Sequence, residues 1–490
     1  VTIDGSNNGS SSRDLSIVNN STSGSSVVWI ASTGGATSGA NNITVKNTKV
    51  KGGSGSTSGI YGIVSSTTSS FTTGAENNDN LVIQNNEVTK VYNGITAFNN
   101  STSTQDGLLI SGNTVGSTVN ADRVIFRGIQ VTYVNDPIIS SNSIIELVTT
   151  ASINIAAIDL GAGVVNGSVI SNRINNIKNT TTSGYGAYGI NFSSATGTTG
   201  TLVANNMISN IETANYSATS NTFNAFGIRV GAAIPNLKFY NNTVNMYGNV
   251  TSGSSAGMSA NFVTTAAATN IDMRNNIFRN VQSFATSGSS AYNVYLTSGT
   301  TFTDINYNNY VGATTTSTTY RLGYNGSANV ADLASWRTFT TKDLNSVAIA
   351  PNFVSNTDLH LVTGTNAALD NIGTPIAAVT TDFDGDTRSA TPDMGADEFS
   401  TSYCGEPAVA GTVTATPASL CTSGSATVAA TGYMNGVGTT YEWESSADAE
   451  FTSPVSMGVA SAIYADVSTG EITATTYYRL KVTCNSGTAT

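Results

Sequence analysis

An acidic stretch is the first candidate for chemistry in this 490-residue chain: DFDGDTRSATPDMGADEF, which begins at Asp382, holds six of the thirty acidic residues. Its first three aspartates alternate, so an extended backbone would project them to one side, where they repel unless something neutralises them. Counted from Asp382, acids fall at positions 1, 3, 5 and 12 of the calcium-loop template, although position 6 lacks its glycine. The stretch therefore predicts a structural calcium site as one alternative, with the ligands Asp382, Asp384, Asp386 and Asp393.

The other alternative for this stretch is a structural cap without a cation. Arg388 lies among the six acids, and a guanidinium with five donors can bridge two carboxylates at once. We predict a structural role for Arg388 in either case.

A second candidate site follows a strand motif of the form x-Gly-apolar-x-apolar, as in RGIQV at Arg127 and YGINF at Tyr188. Aligned copies place Asp159 and Arg229 two coils apart in one outward column, which continues through Ser259 of the copy AGMSA. Hydrogen-bonding groups beside aromatic rings suit a sugar chain. The predicted ligand-binding residues are Gln130, Asp159, Tyr188, Asn191, Arg229 and Tyr292. An Asp with an Arg is not the carboxylate pair of a glycosidase, so no catalytic residue is predicted; the alternative is a solvated strand face with aromatics partly under loops.

The elements that would position these residues are short alternating strands in a repeat that fills residues 1–330. An Asn recurs about every thirty residues, followed two places later by an apolar residue, as in LVIQNNEV and LLISGNTV. One unit of this size cannot bury its apolar face alone, so stacked units must supply the core. We assign the recurring Asn to a structural ladder at a tight corner, with the members Asn86, Asn113, Asn142, Asn172, Asn206, Asn242, Asn276 and Asn309.

Stacked coils of this kind resemble the right-handed parallel β-helix family over residues 1–330, in about ten coils. Residues 331–400 resemble the closing element of secreted bacterial β-helix proteins. The matching residues are Pro351, Phe353, Asp358, His360, Leu361, Asp382, Asp384, Gly385, Arg388 and the run Asp393 to Glu398. The resemblance implies a C-terminal cap. Before this motif, the residues ADLASWRTFTTKDLNSVAIAPNF predict one short helix around Asp332 to Trp336.

Residues 401–490 alternate in short strands with turn signals, which favours an antiparallel sandwich. The order Cys421, Trp443, Cys484 resembles immunoglobulin-like modules, and this resemblance implies a Cys421–Cys484 disulfide that leaves Cys404 unassigned. The module is predicted to be incomplete. Together with the β-helix it resembles the type IX-secreted surface adhesins of gliding bacteria (Bacteroidota), which implies an extracellular, cell-surface location and contact with secretion and anchoring machinery.

Composition narrows the class of function. A net charge of −11 with nineteen Lys plus Arg disfavours nucleic acid as a partner, and apolar runs are too short for membrane insertion. The single His, His360, precedes Leu361, so the Gly-His-Gly signature of galacturonan hydrolases is missing. We expect a non-catalytic adhesin-like protein that binds extracellular glycans or surfaces; the alternatives are a polysaccharide lyase or glycoside hydrolase, and a structural spacer. Apart from calcium, no cofactor is expected.

Overall fold

The computed structural model describes residues 1–33, 38–68, 70–102, 104–214, 216–253, 255–399, 408–420, 423–435, 439–461, 464–484 and 487–489. These divide into two compact units. The first comprises Val1–Asp4, Ser16–Leu361 and Asn371–Glu398, and the second comprises Gly5–Leu15, Val362–Asp370 and Phe399–Thr490.

The first unit is a parallel β-helix, as the repeat predicts, and it makes about nine turns over residues 15–325, against about ten expected coils. Each turn contributes one strand to each of three parallel sheets, which we name A, B and C. The strands of sheet A are Thr2–Asp4, Thr44–Lys46, Val82–Gln84, Leu109–Ser111, Ile138–Ser140, Ser168–Ile170, Leu202–Ala204, Lys238–Tyr240, Ile271–Arg274 and Phe302–Asn306. Those of sheet B are Leu15–Val18, Thr48–Lys51, Glu87–Thr89, Thr114–Val115, Ser143–Thr149, Arg173–Asn179, Met207–Thr213, Thr243–Met246, Ile277–Asn280 and Asn309–Gly312.

Sheet C carries the predicted sugar-binding strip. Its strands are Ser25–Ser32, Ile60–Thr67, Asn93–Phe98, Arg127–Thr132, Ile155–Leu160, Ala187–Phe192, Ala225–Val230, Met258–Thr264, Ser289–Leu296 and Thr318–Asn325, with Asn329–Val330 added antiparallel. Minor elements are the strand pairs Val134–Asn135 with Val164–Val165 and Asn249–Val250 with Ser283–Phe284, and a 3-10 turn at Asn120–Asp122.

The core of the β-helix is a stack of inward columns, with at least one from each sheet. In sheet A, Ile83, Ile110 and Ile139 lie directly above one another, and all three are fully buried. Burying one such side chain contributes about 1.5–3 kcal/mol. Each residue needs the coils on both sides to be buried, which is why the repeat is stable only as a stack.

A ladder of buried Asn side chains runs along the corner between sheets A and B. Asn142, for example, donates its amide to the carbonyl of Ile110 and to Oδ1 of Asn172, each within 3.0 Å. The same pattern links consecutive rungs, which are Asn86, Asn113, Asn142, Asn172, Asn206, Asn242, Asn276 and Asn308. Seven of the eight predicted rungs are therefore confirmed.

The last predicted rung is wrong by one residue. Asn276 donates to Asn308, whereas Asn309 bonds the backbone of Ile349 through both ends of its amide. The reason is the residue before each rung, which adopts a left-handed conformation with φ near +55°. Asn takes that conformation before four of the eight rungs, so the second Asn of an Asn-Asn pair is usually the rung. In the last coil Tyr307 takes it instead, and the first Asn of the pair, Asn308, is the rung.

A short helix, α1 (Leu333–Thr340), closes the last coil. Asp332 caps it by accepting the amide hydrogen of Ser335, and the buried Trp336 packs into the core cluster of the β-helix. The Trp336 indole and the Tyr310 hydroxyl both donate to one oxygen of Asp343, each at 2.8 Å. The predicted helix is thus present, and it extends four residues beyond its expected end.

Asp343 should make stability depend on pH. Burial raises its pKa above the ordinary 3.8, against the hydrogen bonds from Ser346, Tyr310 and Trp336. The folded state therefore keeps the proton to higher pH than the unfolded state, so this contribution to stability is lost as pH rises through the raised pKa. Asp343→Asn stays neutral and preserves an acceptor, so we expect its stability relative to wild type to increase between pH 4 and pH 8. Unfolding midpoints across that range check this; parallel curves would contradict it.

The second unit contains two small antiparallel sheets. One consists of Thr412–Thr416, Thr427–Thr431 and Val467–Ser468, and the other of Val455–Ser456, Thr440–Ser446, Tyr477–Cys484 and Gly487–Ala489. Trp443 is buried in their core and donates its indole hydrogen to the carbonyl of Ala465. Cys484 is buried and disulfide-bonded, whereas Cys404 and Cys421 lie outside the described residues. Within the described part of the chain, no helix is long and apolar enough to cross a membrane.

Candidate functional site

The strip on sheet C has the predicted register over most of its length. Gln130, Asp159, Asn191 and Arg229 are consecutive partners on four neighbouring strands. The prediction fails at the next strand, where Val263, not Ser259, follows Arg229. The cause is a replaced glycine.

The glycine of the motif is replaced by Asn261 in that strand. An inward residue at this position must fit between neighbouring backbones; Asn261 does so by donating its amide to the carbonyls of Val244 and Arg279. The sequence AGMSA, which carries a glycine, lies four residues earlier. An alignment on the glycine of AGMSA therefore places the strand four residues too early. Because four is an even number, both registers show the same alternation of inward and outward residues.

Asp159 is the centre of a buried hydrogen-bond network. It is 2% exposed, and its Oδ2 accepts from Nε of Arg127 at 3.1 Å and from Nε2 of Gln130 at 3.1 Å. Its Oδ1 accepts from the amide of Asn191 at 2.6 Å, and Asn191 in turn accepts from Nη1 of Arg229 at 2.9 Å. The charges of the strip are thus used within the protein, which corrects the alternative of a solvated strand face.

The aromatic residues of the strip are buried as well. Tyr188 is 2% exposed; its ring stacks on Phe226 at 6.0 Å, and its hydroxyl donates to the carbonyl of Thr222. Tyr292 is 4% exposed and donates to the side chain of Asn329 at 2.9 Å. Burial raises the pKa of both phenols. Neither ring presents an open face to a ligand.

The acidic segment, which we define as Asn371–Glu398, lies along the flank of the β-helix, beside the Asn corner. Ile376 and Val379 pack on Ala204 and Tyr240 of sheet A. The amide of Asn205, in the corner itself, donates to the carbonyl of Thr381 at 2.7 Å. The region predicted as a cap therefore has two parts. Helix α1 covers the last coil, and the acidic segment covers the outer face of earlier coils.

Arg388 joins this segment to the coils, in keeping with its predicted structural role. Arg388 is 9% exposed, and its guanidinium forms an ion pair with Glu398 at 3.1 Å. The other terminal nitrogen donates to Oδ1 of Asn205 at 2.8 Å and to the carbonyl of Gly395 at 2.9 Å. Burial lowers the pKa of Arg388, which the surrounding acids oppose.

The four predicted calcium ligands are not brought together. Oδ1 of Asp382 accepts the backbone hydrogens of Asp384, Gly385 and Asp386, and its Oδ2 accepts that of Glu398. These four backbone hydrogen bonds occupy the carboxylate, so few of its lone pairs remain for an ion. Burial raises the pKa of Asp382 to about 7. Asp393 instead accepts from the backbone of Asn371.

A different group of side chains does converge. Among the described residues, His360, Asp384 and Asp397 are the group of three or more potential metal ligands whose donor atoms all lie within 4.8 Å of one another. Nε2 of His360 lies 2.8 Å from Oδ2 of Asp384, and its Nδ1 contacts Oδ1 of Asp358. Burial would lower the pKa of His360, but the hydrogen bonds with Asp358 and Asp384 outweigh it and raise that pKa to about 10.

Sequence reasoning assigned His360 and Asp397 only to the closing motif. His360 and Asp397 are 37 positions apart along the chain, and the backbone of Leu361 donates to Oδ2 of Asp397 at 2.6 Å to bring them together. The available signal was the Asp-x-His spacing of Asp358 and His360, which places a carboxylate beside the only imidazole.

Comparison with known proteins concerns the second unit. Residues 409–490 match a family described as a domain of unknown function, DUF8696. A comparison with curated proteins gives no match. The family match covers the antiparallel sheets and none of the β-helix.

Proposed function

We propose that this chain is a non-catalytic, adhesin-like protein of the cell surface or the extracellular medium, whose β-helix presents a face for binding glycans or other surfaces. The observation that carries the proposal is the Asp159 network. A general acid or base must reach the substrate with an available proton site. Both oxygens of Asp159 are buried and occupied, and both arginines beside it are hydrogen-bonded within the strip.

We place the glycan contact in the part of the same outward column that is exposed to solvent. Trp29 aligns with this column through Val64 and Thr96, and it is 41% exposed. Its ring centroid lies 4.6 Å from that of Phe71, and its indole donates to Ser66, so the exposed ring is held in place. Sugars stack their C–H faces on such rings. We therefore assign the contact to Trp29 in place of Tyr188 and Tyr292.

The proposed location rests on the chemistry of the second unit and on charge. Cys484 is disulfide-bonded, and disulfides persist in oxidising compartments. The net charge of −11 favours neither nucleic acid nor an anionic membrane. We propose that an immunoglobulin-like second unit links the β-helix to type IX secretion and surface anchoring in a gliding bacterium.

The test is a binding screen of the purified chain against neutral and acidic polysaccharides, with calcium and with chelator. We expect at least one polysaccharide to bind and Trp29→Ala to weaken it about tenfold, which corresponds to about 1.4 kcal/mol. Phe339→Ala is the matched control, because Phe339 is 40% exposed on α1, away from the column, and should bind as wild type does. Absence of binding to every polysaccharide would contradict the proposal and leave a spacer.

A further inference from the structure

The group of His360, Asp384 and Asp397 has the donor set of a metal site. One imidazole nitrogen and two carboxylates lie within 4.8 Å of one another. Asp397 is 8% exposed, so its carboxylate sits in a poorly solvated position, whereas Asp384 lies at the surface. The group therefore has a fixed inner side and an open outer side.

The surroundings orient this group as metal sites commonly do. Asp358 contacts Nδ1 of His360, which fixes the tautomer and directs Nε2 toward the two carboxylates. A carboxylate that holds a ligating histidine in this way recurs in protein metal sites. Asp397 is itself held by the backbone hydrogen of Leu361, and the edge of Phe383 packs against the imidazole at 5.8 Å.

We propose that His360, Asp384 and Asp397 bind one divalent transition-metal ion of the zinc class. Imidazole nitrogen with carboxylate oxygen suits such ions, whereas calcium prefers six to eight oxygen ligands. Binding displaces the proton from Nε2 of His360, and the resulting neutral imidazole with the two carboxylates balances the two positive charges of the ion. The ion would tie His360 to the two parts of the acidic segment that carry Asp384 and Asp397. This inference is independent of glycan binding.

The experiment is calorimetric titration of the full chain, freed of metal by chelator and dialysis, with zinc chloride and in parallel with calcium chloride. We expect one zinc ion per chain and a higher unfolding temperature in its presence, because an ion that binds only the folded state stabilises it. Calcium should give much weaker binding. Without zinc, His360 lies between the carboxylates of Asp358 and Asp384, which contact its two ring nitrogens.

Three variants decide which residues are responsible. Asp384→Asn should weaken zinc binding at least about tenfold, and Asp358→Asn, which acts through the histidine, about 10- to 100-fold. Asp386→Asn is the matched control: it lies in the same turn but outside the group, and should bind zinc as wild type does. Asp384 is exposed, so its variant folds irrespective of the outcome. Absence of zinc binding, equal affinity in Asp384→Asn, or a preference for calcium would overturn the assignment.

Discussion

Asp159→Asn is expected to lower the free energy of unfolding of the β-helix by about 3 kcal/mol. Removing one partner of a buried ion pair leaves the other charge uncompensated, and such losses amount to about 3–5 kcal/mol. Arg127 is 9% exposed and forms its ion pair with Asp159, so the variant would leave its buried charge uncompensated. The side-chain NH2 of the new asparagine would also face the NH2 of Gln130 or of Asn191, so two donors would meet without an acceptor. Denaturant unfolding of the two proteins measures the difference.

A surface ion pair on the same β-helix provides the control. Asp122 pairs with Lys51 at 2.8 Å, and both side chains are partly exposed. Asp122→Asn should therefore cost less than about 1 kcal/mol. Replacing both charges of the buried pair by apolar residues, as in Arg127→Met with Asp159→Leu, should recover most of the lost stability. Equal costs at Asp122 and Asp159 would contradict the buried network.

Asn172→Ala is expected to lower the free energy of unfolding by about 3–5 kcal/mol. Its amide donates to the carbonyl of Ile139 and to Asn206, and its oxygen accepts from both nitrogens of Asn142. Each buried group left without a partner costs about 1–3 kcal/mol. Chemical denaturation measures the loss, and hydrogen exchange should locate it at the coils on either side.

The matched control for the ladder is Asn175, three residues further in the same coil. It is half-buried on the outer side of sheet B and accepts one bond, from Ser209 at 3.0 Å. Asn175→Ala should cost about 1 kcal/mol or less, because water can replace that partner. If the two alanine variants unfold alike, the Asn corner does not stabilise the stack as described.

The sequence predicts the β-helix well because each coil repeats a local constraint. An Asn that tolerates positive φ, an Asn rung and an apolar residue two places later recur together, so one coil determines the register of the next. Where a coil departs from this pattern, prediction fails by a definite amount. Tyr307 in place of Asn moved one rung, and Asn261 in place of Gly moved one strand by four residues.

The candidate sites were less predictable because they depend on what covers a strand. Alternation places Asp159 on the outer face of sheet C, in one column with Gln130 and Asn191, and this is where it lies. Yet the loop that includes Thr222 covers Tyr188, and its position is not set by strand periodicity. In the same way, His360 meets Asp384 and Asp397 only because the segment folds back, with Arg388 bridging Glu398 and Asn205.

The most direct test of the proposed function is the release of reducing or unsaturated ends from the polysaccharide that binds most tightly. Wild type and Asp159→Asn are compared at equal folded fraction, with calcium and with chelator. We predict tight binding by both proteins and no product from either. Product formed by wild type and abolished in Asp159→Asn would contradict the non-catalytic role and identify the strip on sheet C as the active site of a polysaccharide-cleaving enzyme.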